Sequence, residues 1–220
     1  EDIGITVLSG AARFTGPSEV EVAGRVYQAA AFIIASGTRP LIPPIPGLKT
    51  VDYLTNETLY DLDDLPKSIL ILGGGVDGLE YAGAFSGLGV KTTVVEASGR
   101  WLPTADAEAV RMLTASMKQA GILLAGGTQV QNVAKGADGV IALCRAQDGR
   151  SLELSAEKLL VAVGRVPDLE SLGLEKAGVA FNQRGIITDR TLRTSARHIY
   201  ACGDIAGPYL LATTAESQAI

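Results

Sequence analysis

Three glycines and one carboxylate carry the clearest chemistry in this sequence. Gly73, Gly75 and Gly78 stand at the spacing G-x-G-x-x-G, and Glu96 follows 18 residues after the last of them. In that spacing the first glycine permits a tight turn. The second lets the backbone approach a pyrophosphate, and the third lets a helix pack closely on a strand. The N-terminus of that helix offers unpaired N–H groups and a partial positive charge to phosphates. A carboxylate at Glu96 accepts a hydrogen bond from a ribose 2′-OH and repels a 2′-phosphate, so the reading is NAD(H) rather than NADP. Val76 lies inside the glycine run. Asp77 resists the assignment, because a carboxylate facing the phosphates costs affinity; the alternatives are that it faces solvent or caps the helix start.

These residues need a βαβ frame, and the sequence supplies one. Ile69 to Leu72 is a short, β-branched-rich apolar run, as expected of a strand buried on both faces. A helical run follows Gly75, and Lys91 to Glu96 forms a second strand ending in the acid. A glycine-rich βα turn with no ligand is the bland alternative.

Bulk properties exclude several classes. The 220 residues are 47% hydrophobic with a net charge of −5, enough for a core and unsuited to nucleic acid or an anionic membrane as main partner. No apolar run reaches the roughly 18–20 residues that span a bilayer. Two isolated cysteines, Cys144 and Cys202, and a single histidine argue against a metal site and fit a cytoplasmic protein. The start at Glu1 and an end inside an incipient helix, Ala212 to Ile220, imply a piece of a longer chain.

Along the chain, residues 3–37 read as strands. They include the apolar run Ile5 to Leu8, a hairpin turning at Ala23-Gly24, and a buried strand from Ala31 to Gly37. Four prolines between Arg39 and Gly47 forbid helix and predict a stiff, extended linker. Asn56 to Asp61 reads as a short helix capped by Thr55 or Asn56. Asp106 starts a helix that Gly121 ends, with Val110, Leu113 and Met117 on one face. Ile122 to Ala125 is a third strand, and residues 129–154 form a small antiparallel meander turning at Asp148-Gly149. Lys158 to Gly164 and His198 to Asp204 are buried strands ending at glycine motifs. Ligands of open α/β sheets sit at such carboxyl ends.

Four motifs in this order resemble the flavoprotein pyridine nucleotide-disulfide oxidoreductases, the group of dihydrolipoamide dehydrogenase and mercuric reductase. They are Ala35-Ser-Gly-Thr-Arg-Pro with Pro44-Ile-Pro-Gly47, Gly73 to Glu80, Val163-Gly-Arg-Val-Pro167, and Thr194 to Asp204 ending Ile-Tyr-Ala-Cys-Gly-Asp. The resemblance implies an α/β, Rossmann-like FAD/NAD(P)-binding fold, with an NAD(P) domain at residues 53–168 inserted into an incomplete FAD domain at 1–52 and 169–220. It implies that Asp204 holds the ribityl chain of FAD, that Gly37 and Thr38 lie near the flavin, and that Gly164 and Gly203 are among the cofactor-binding residues. Glu80 matches a catalytic glutamate that pairs with a lysine beside the flavin. A homodimer is the expected assembly. The activity the resemblance implies is hydride transfer from nicotinamide to FAD and on to a disulfide or another acceptor.

Departures bound this reading. The FAD glycine fingerprint, the C-x-x-x-x-C redox helix with its lysine, and the C-terminal His-Glu interface domain are not in these residues. The 220-residue chain alone is therefore expected to be catalytically incomplete, holding NAD(H) with FAD belonging to the full-length protein. The alternative is a stand-alone NAD(H)-binding or redox-sensing module without turnover. Val76 stands where many relatives carry an aromatic gate. The bland readings of His198, Cys144, Cys202, Trp101, Arg100 and Asp106 are structural, with Trp101 as a shield for adenine the sharper alternative.

Overall fold

The computed structural model describes residues 4–220, which pack as two compact units: residues 40–164, and residues up to 39 together with 165–220. Residues 1–3 of the first expected segment lie outside the described residues.

In chain order the strands are β1 (Ala12–Gly16), β2 (Glu19–Val22), β3 (Arg25–Gln28), β4 (Phe32–Ile34), β5 (Arg39–Pro40), β6 (Ser68–Leu72), β7 (Lys91–Glu96), β8 (Leu123–Gly126), β9 (Thr128–Gly136), β10 (Gly139–Ala146), β11 (Ser151–Ala156), β12 (Lys158–Val161), β13 (Arg165–Val166), β14 (Phe181–Asn182), β15 (Gly185–Ile186) and β16 (Ile199–Ala201). The helices are α1 (Val76–Gly87), α2 (Ala107–Gln119) and α3 (Ala212–Gln218).

The 40–164 unit is a three-layer sandwich. Its middle layer is a parallel sheet in the order β12-β6-β7-β8. Side chains on β6 alternate between two cores, which explains why every residue from Ile69 to Leu72 is apolar. Ile69 and Ile71 pack with Leu79, Ala82 and Phe85 of α1 and Met117 of α2. Leu70 and Leu72 pack on the other face with Val133, Val140, Ala142 and Cys144 of the antiparallel meander β11-β10-β9. The proline-rich segment is helix-free as expected but not extended throughout: after the short strand Arg39–Pro40 it turns, the Ile45 N–H donating to the Pro43 carbonyl at 2.8 Å and the Leu48 N–H to the Ile45 carbonyl at 3.1 Å, and Ile42 and Ile45 pack against this second core. Leu48 and Val51 are buried there, and the Pro46 carbonyl accepts the Val133 N–H at 2.9 Å. α2 starts at Asp106, whose Oδ1 accepts the Glu108 and Ala109 N–H groups at 2.9 and 3.1 Å. Only Met117 of the expected α2 stripe is buried; Leu113 is 40% exposed.

The other unit holds the hairpin sheet β1-β2-β3 and a parallel pair, β4 with β16. Its core gathers Phe14, Ile34, Leu169, Leu174, Ile186, Ile199 and Ile205. Ile5 to Leu8 is not a strand: it forms no ladder, and Ile5 and Val7 are 69% and 84% exposed. The first strand is instead Ala12–Gly16, which pairs with β2 and puts Phe14 in the core. The expected strands 31–37 and 198–204 shorten to three residues each; residues 35–38 beyond the first carry no regular structure, and Gly203–Ala206 beyond the second is a 3₁₀ turn. Two 3₁₀ turns, Glu170–Leu172 and Leu174–Ala177, are separated by Gly173.

Candidate functional site

The carboxyl ends of β6 and β7 carry the glycine loop, and its glycines divide the work. Gly73 adopts φ +112°, and a Cβ there would run into the Ala162 carbonyl oxygen. A Cβ on Gly78 would strike the Gly73 carbonyl oxygen, so this glycine is what lets α1 lie against the strand end. Gly75 is different: nothing lies within 4 Å of its Cβ position, and it is the N-cap of α1. It has no side chain to donate, and no other side chain caps the helix. The first-turn amides, which a helix leaves unpaired, therefore remain available at an open face. Val76, the first helical residue, is 54% exposed. Asp77 is half-buried in that first turn and does not cap the helix, because Gly75 occupies the cap position.

Glu96 ends β7 and is fastened by three donors. Its Oε2 accepts the Gly74 N–H at 2.7 Å, and its Oε1 accepts the Ser98 N–H and hydroxyl, both at 2.7 Å. Burial pushes its pKa up, but the Ser98 hydroxyl and the Ser98 and Gly74 N–H groups outweigh this and hold the carboxyl below its ordinary value. A carboxylate offers about four lone-pair directions. Three are taken, and the remaining one, on Oε2, is an acceptor suited to a hydroxyl.

A second cluster lies in the other unit. Asp204 sits in the 3₁₀ turn Gly203–Ala206 that follows β16, where Gly203 takes φ +71°. The Thr38 hydroxyl donates to Asp204 Oδ2 at 3.0 Å. Arg165 Nε donates to the same Thr38 hydroxyl at 2.7 Å, and its Nη2 donates to the Thr38 carbonyl at 2.6 Å. Arg165 Nε lies 3.8 Å from Asp204 Oδ2, both side chains being about a quarter exposed (24% and 22%). Gly37, directly before Thr38, takes φ +67°. Thr38 and Asp204 are thus brought together as neighbours, and Arg165, to which sequence reasoning gave no role, ties them. The Gly-Arg-x-Pro motif was the available signal.

The other candidates stand apart. Glu80 is exposed on α1 and makes no ion pair among the described residues. Gly164 takes φ +132° beyond the end of β12, and its carbonyl accepts the Leu41 N–H at 2.9 Å. Cys144 is buried in the meander core, which pushes its thiol up, and Cys202 is half-buried beside Gly203. His198 is structural: its Nε2 lies 2.7 Å from the Pro17 carbonyl oxygen, and its ring meets Phe32 edge-on.

The sequence matches the model of the pyridine nucleotide-disulphide oxidoreductases over residues 1–219. The chain belongs to this family. It is 39% identical over 220 residues to dihydrolipoyl dehydrogenase of Thermus scotoductus, covering 98% of this chain and 47% of that protein. It is 36% identical over 211 residues to mercuric reductase of Bacillus cereus, covering 94% of this chain and 33% of that protein. Among solved structures, the HOCl-induced flavoprotein disulfide reductase RclA from Escherichia coli superposes with a TM-score of 0.89 at 28% identity, over 97% of this chain and 48% of RclA. The chain therefore spans at most about half the length of these relatives, and its units carry the FAD/NAD-binding fold of flavoprotein disulfide reductases.

Proposed function

We propose that this chain is the dinucleotide-handling portion of an FAD-dependent oxidoreductase that takes hydride from NADH. The observation that carries this is the division of labour in the glycine loop. Gly73 and Gly78 are required by packing, whereas Gly75 is not: it leaves an open, uncapped helix start beside a carboxylate that keeps one acceptor free. Those residues fit NAD(H). The α1 amides and Gly75 hold the pyrophosphate, Glu96 Oε2 takes a ribose hydroxyl, and Val76 and Gly164 border the nicotinamide end. The negative charge of Glu96 disfavours a 2′-phosphate.

In the full-length protein FAD supplies the two-electron relay from nicotinamide to the acceptor. Asp204, with Gly203, takes a ribityl hydroxyl; Gly37 and Thr38 line the same site. The fit is supported by Asp204 Oδ1, which carries no hydrogen bond among the described residues. Glu80, exposed and in no ion pair among the described residues, is free to take a lysine partner. A disulfide acceptor needs two neighbouring thiols, and the two cysteines here sit in separate units, one of them buried. The chain alone accordingly binds NADH without turnover. The intact protein is a cytoplasmic homodimer in this reading, as its family and composition suggest.

Equilibrium titration of the chain with NADH and NADPH tests the core of this proposal. Saturable binding with NADH clearly tighter is the expected result; equal affinity, or none for NADH, rejects it. The rival reading is a stand-alone NAD(H)-binding or redox-sensing module without turnover. It predicts saturable NADH binding without electron transfer to any acceptor dye.

A further inference from the structure

The middle glycine of the loop, Gly74, is not required by the fingerprint spacing, and the structure gives it a different partner. A Cβ on Gly74 would lie 2.5 and 2.7 Å from Cε3 and Cζ3 of Trp101 and 3.0 Å from the Glu96 Cβ. A Cβ on Gly126, at the end of β8, would lie 3.1 and 3.3 Å from Cζ2 and Nε1 of the same ring. The indole thus spans the carboxyl ends of β6 and β8 on the Glu96 side of the loop, half-buried. Its backbone is held in place. The Leu102 N–H donates to the Gly74 carbonyl at 3.0 Å, the Gly74 N–H is committed to Glu96, and Leu102 accepts an unusual φ of 42°. With its amide spent and its Cβ direction filled by indole, Gly74 has nothing left for phosphate. The pyrophosphate is left to Gly75, the ribose to Glu96, and the base to the surface next to Glu96.

We propose that Trp101 is the wall on which the adenine of the dinucleotide rests, making it an affinity-determining residue for the adenosine half. This rests on the NADH reading above. A flat aromatic face is worth a substantial part of nucleobase affinity, and two glycines clear the space that seats this one.

Trp101 is the only tryptophan of the chain, so it reports on itself. AMP should change its fluorescence and nicotinamide mononucleotide should not. NADH affinity by equilibrium dialysis should fall roughly five- to hundredfold in Trp101→Leu and less in Trp101→Phe, which keeps a flat face. Wild type that binds no NADH overturns the NADH reading and this one with it. NADH binding that is unchanged in Trp101→Leu overturns this one alone. So does unperturbed wild-type fluorescence at AMP concentrations that displace NADH, a measurement that needs no variant to fold.

Discussion

Replacing Glu96 with glutamine removes one acceptor oxygen and the charge behind three hydrogen bonds. The amide oxygen of glutamine can keep the two Ser98 bonds, but its NH₂ then faces the Gly74 N–H, donor against donor. A hydrogen bond to a charged group contributes about 1.5–3 kcal/mol, and the two retained bonds become neutral ones worth about 0.5–1.5 each. Allowing for partial exposure, Glu96→Gln should cost about 1–3 kcal/mol at neutral pH. The sign with pH follows from the direction of the shift. The folded-state pKa of Glu96 lies below its ordinary value of 4.5, so its contribution is complete above that value and is lost as pH falls through the folded pKa. Glutamine does not titrate. Urea unfolding of both proteins along a descending pH series should therefore show a gap that is widest near neutrality and narrows in acid. No gap at neutral pH refutes the hydrogen-bond reasoning. A gap that stays constant well below 4.5 refutes the assignment of the lowered pKa to this carboxylate.

Gly78→Ala should destabilise the 40–164 unit by about 1–3 kcal/mol or more, read as a lower urea midpoint, because its methyl group meets the Gly73 carbonyl. Gly75→Ala has open space and an ordinary φ of −79°, so it should keep its melting temperature while NADH affinity falls about tenfold or more. Asp77→Asn should strengthen NADH binding severalfold at low salt, with the gain shrinking as salt rises, since a first-turn carboxylate opposes the phosphates. Arg165→Met removes both donors to Thr38 and should cost about 1–3 kcal/mol by chemical denaturation, its loss shared non-additively with Thr38→Val.

The βαβ frame was legible because its physics is local. A strand buried on both faces cannot hide polar residues, so Ile69–Leu72 announces itself, and the helix that follows must start where glycines allow close packing. α2 was legible from its two ends, Asp106 capping it and Gly121 ending it at φ +85°. Ile5 to Leu8 misled because an apolar run states only what is sticky, and nothing local specifies a partner strand. Thr38 lies more than a hundred residues from both Arg165 and Asp204 in sequence, so their hydrogen bonds are a product of topology. Trp101 was ambiguous for a related reason: its two glycine seats, Gly74 and Gly126, belong to different strand ends and read separately as ordinary turns.

Both clusters also impose a direction on the hydrogen bonds they can make. A guanidinium only donates. Arg165 therefore obliges the Thr38 hydroxyl to accept from it, and the single hydroxyl proton must go to Asp204. Asp204 is thereby used as an acceptor and presents further acceptor lone pairs on Oδ1. Glu96 reaches the same condition by another route: backbone and serine donors fill three of its positions and leave one acceptor on Oε2. Each carboxylate is thus held by donors the protein itself supplies, and what it offers to a ligand is acceptor capacity with negative charge. Such a group welcomes a hydroxyl and rejects a phosphate. The proposed function accordingly puts sugar hydroxyls at both carboxylates and, within the 40–164 unit, the phosphates at the open helix start at Gly75.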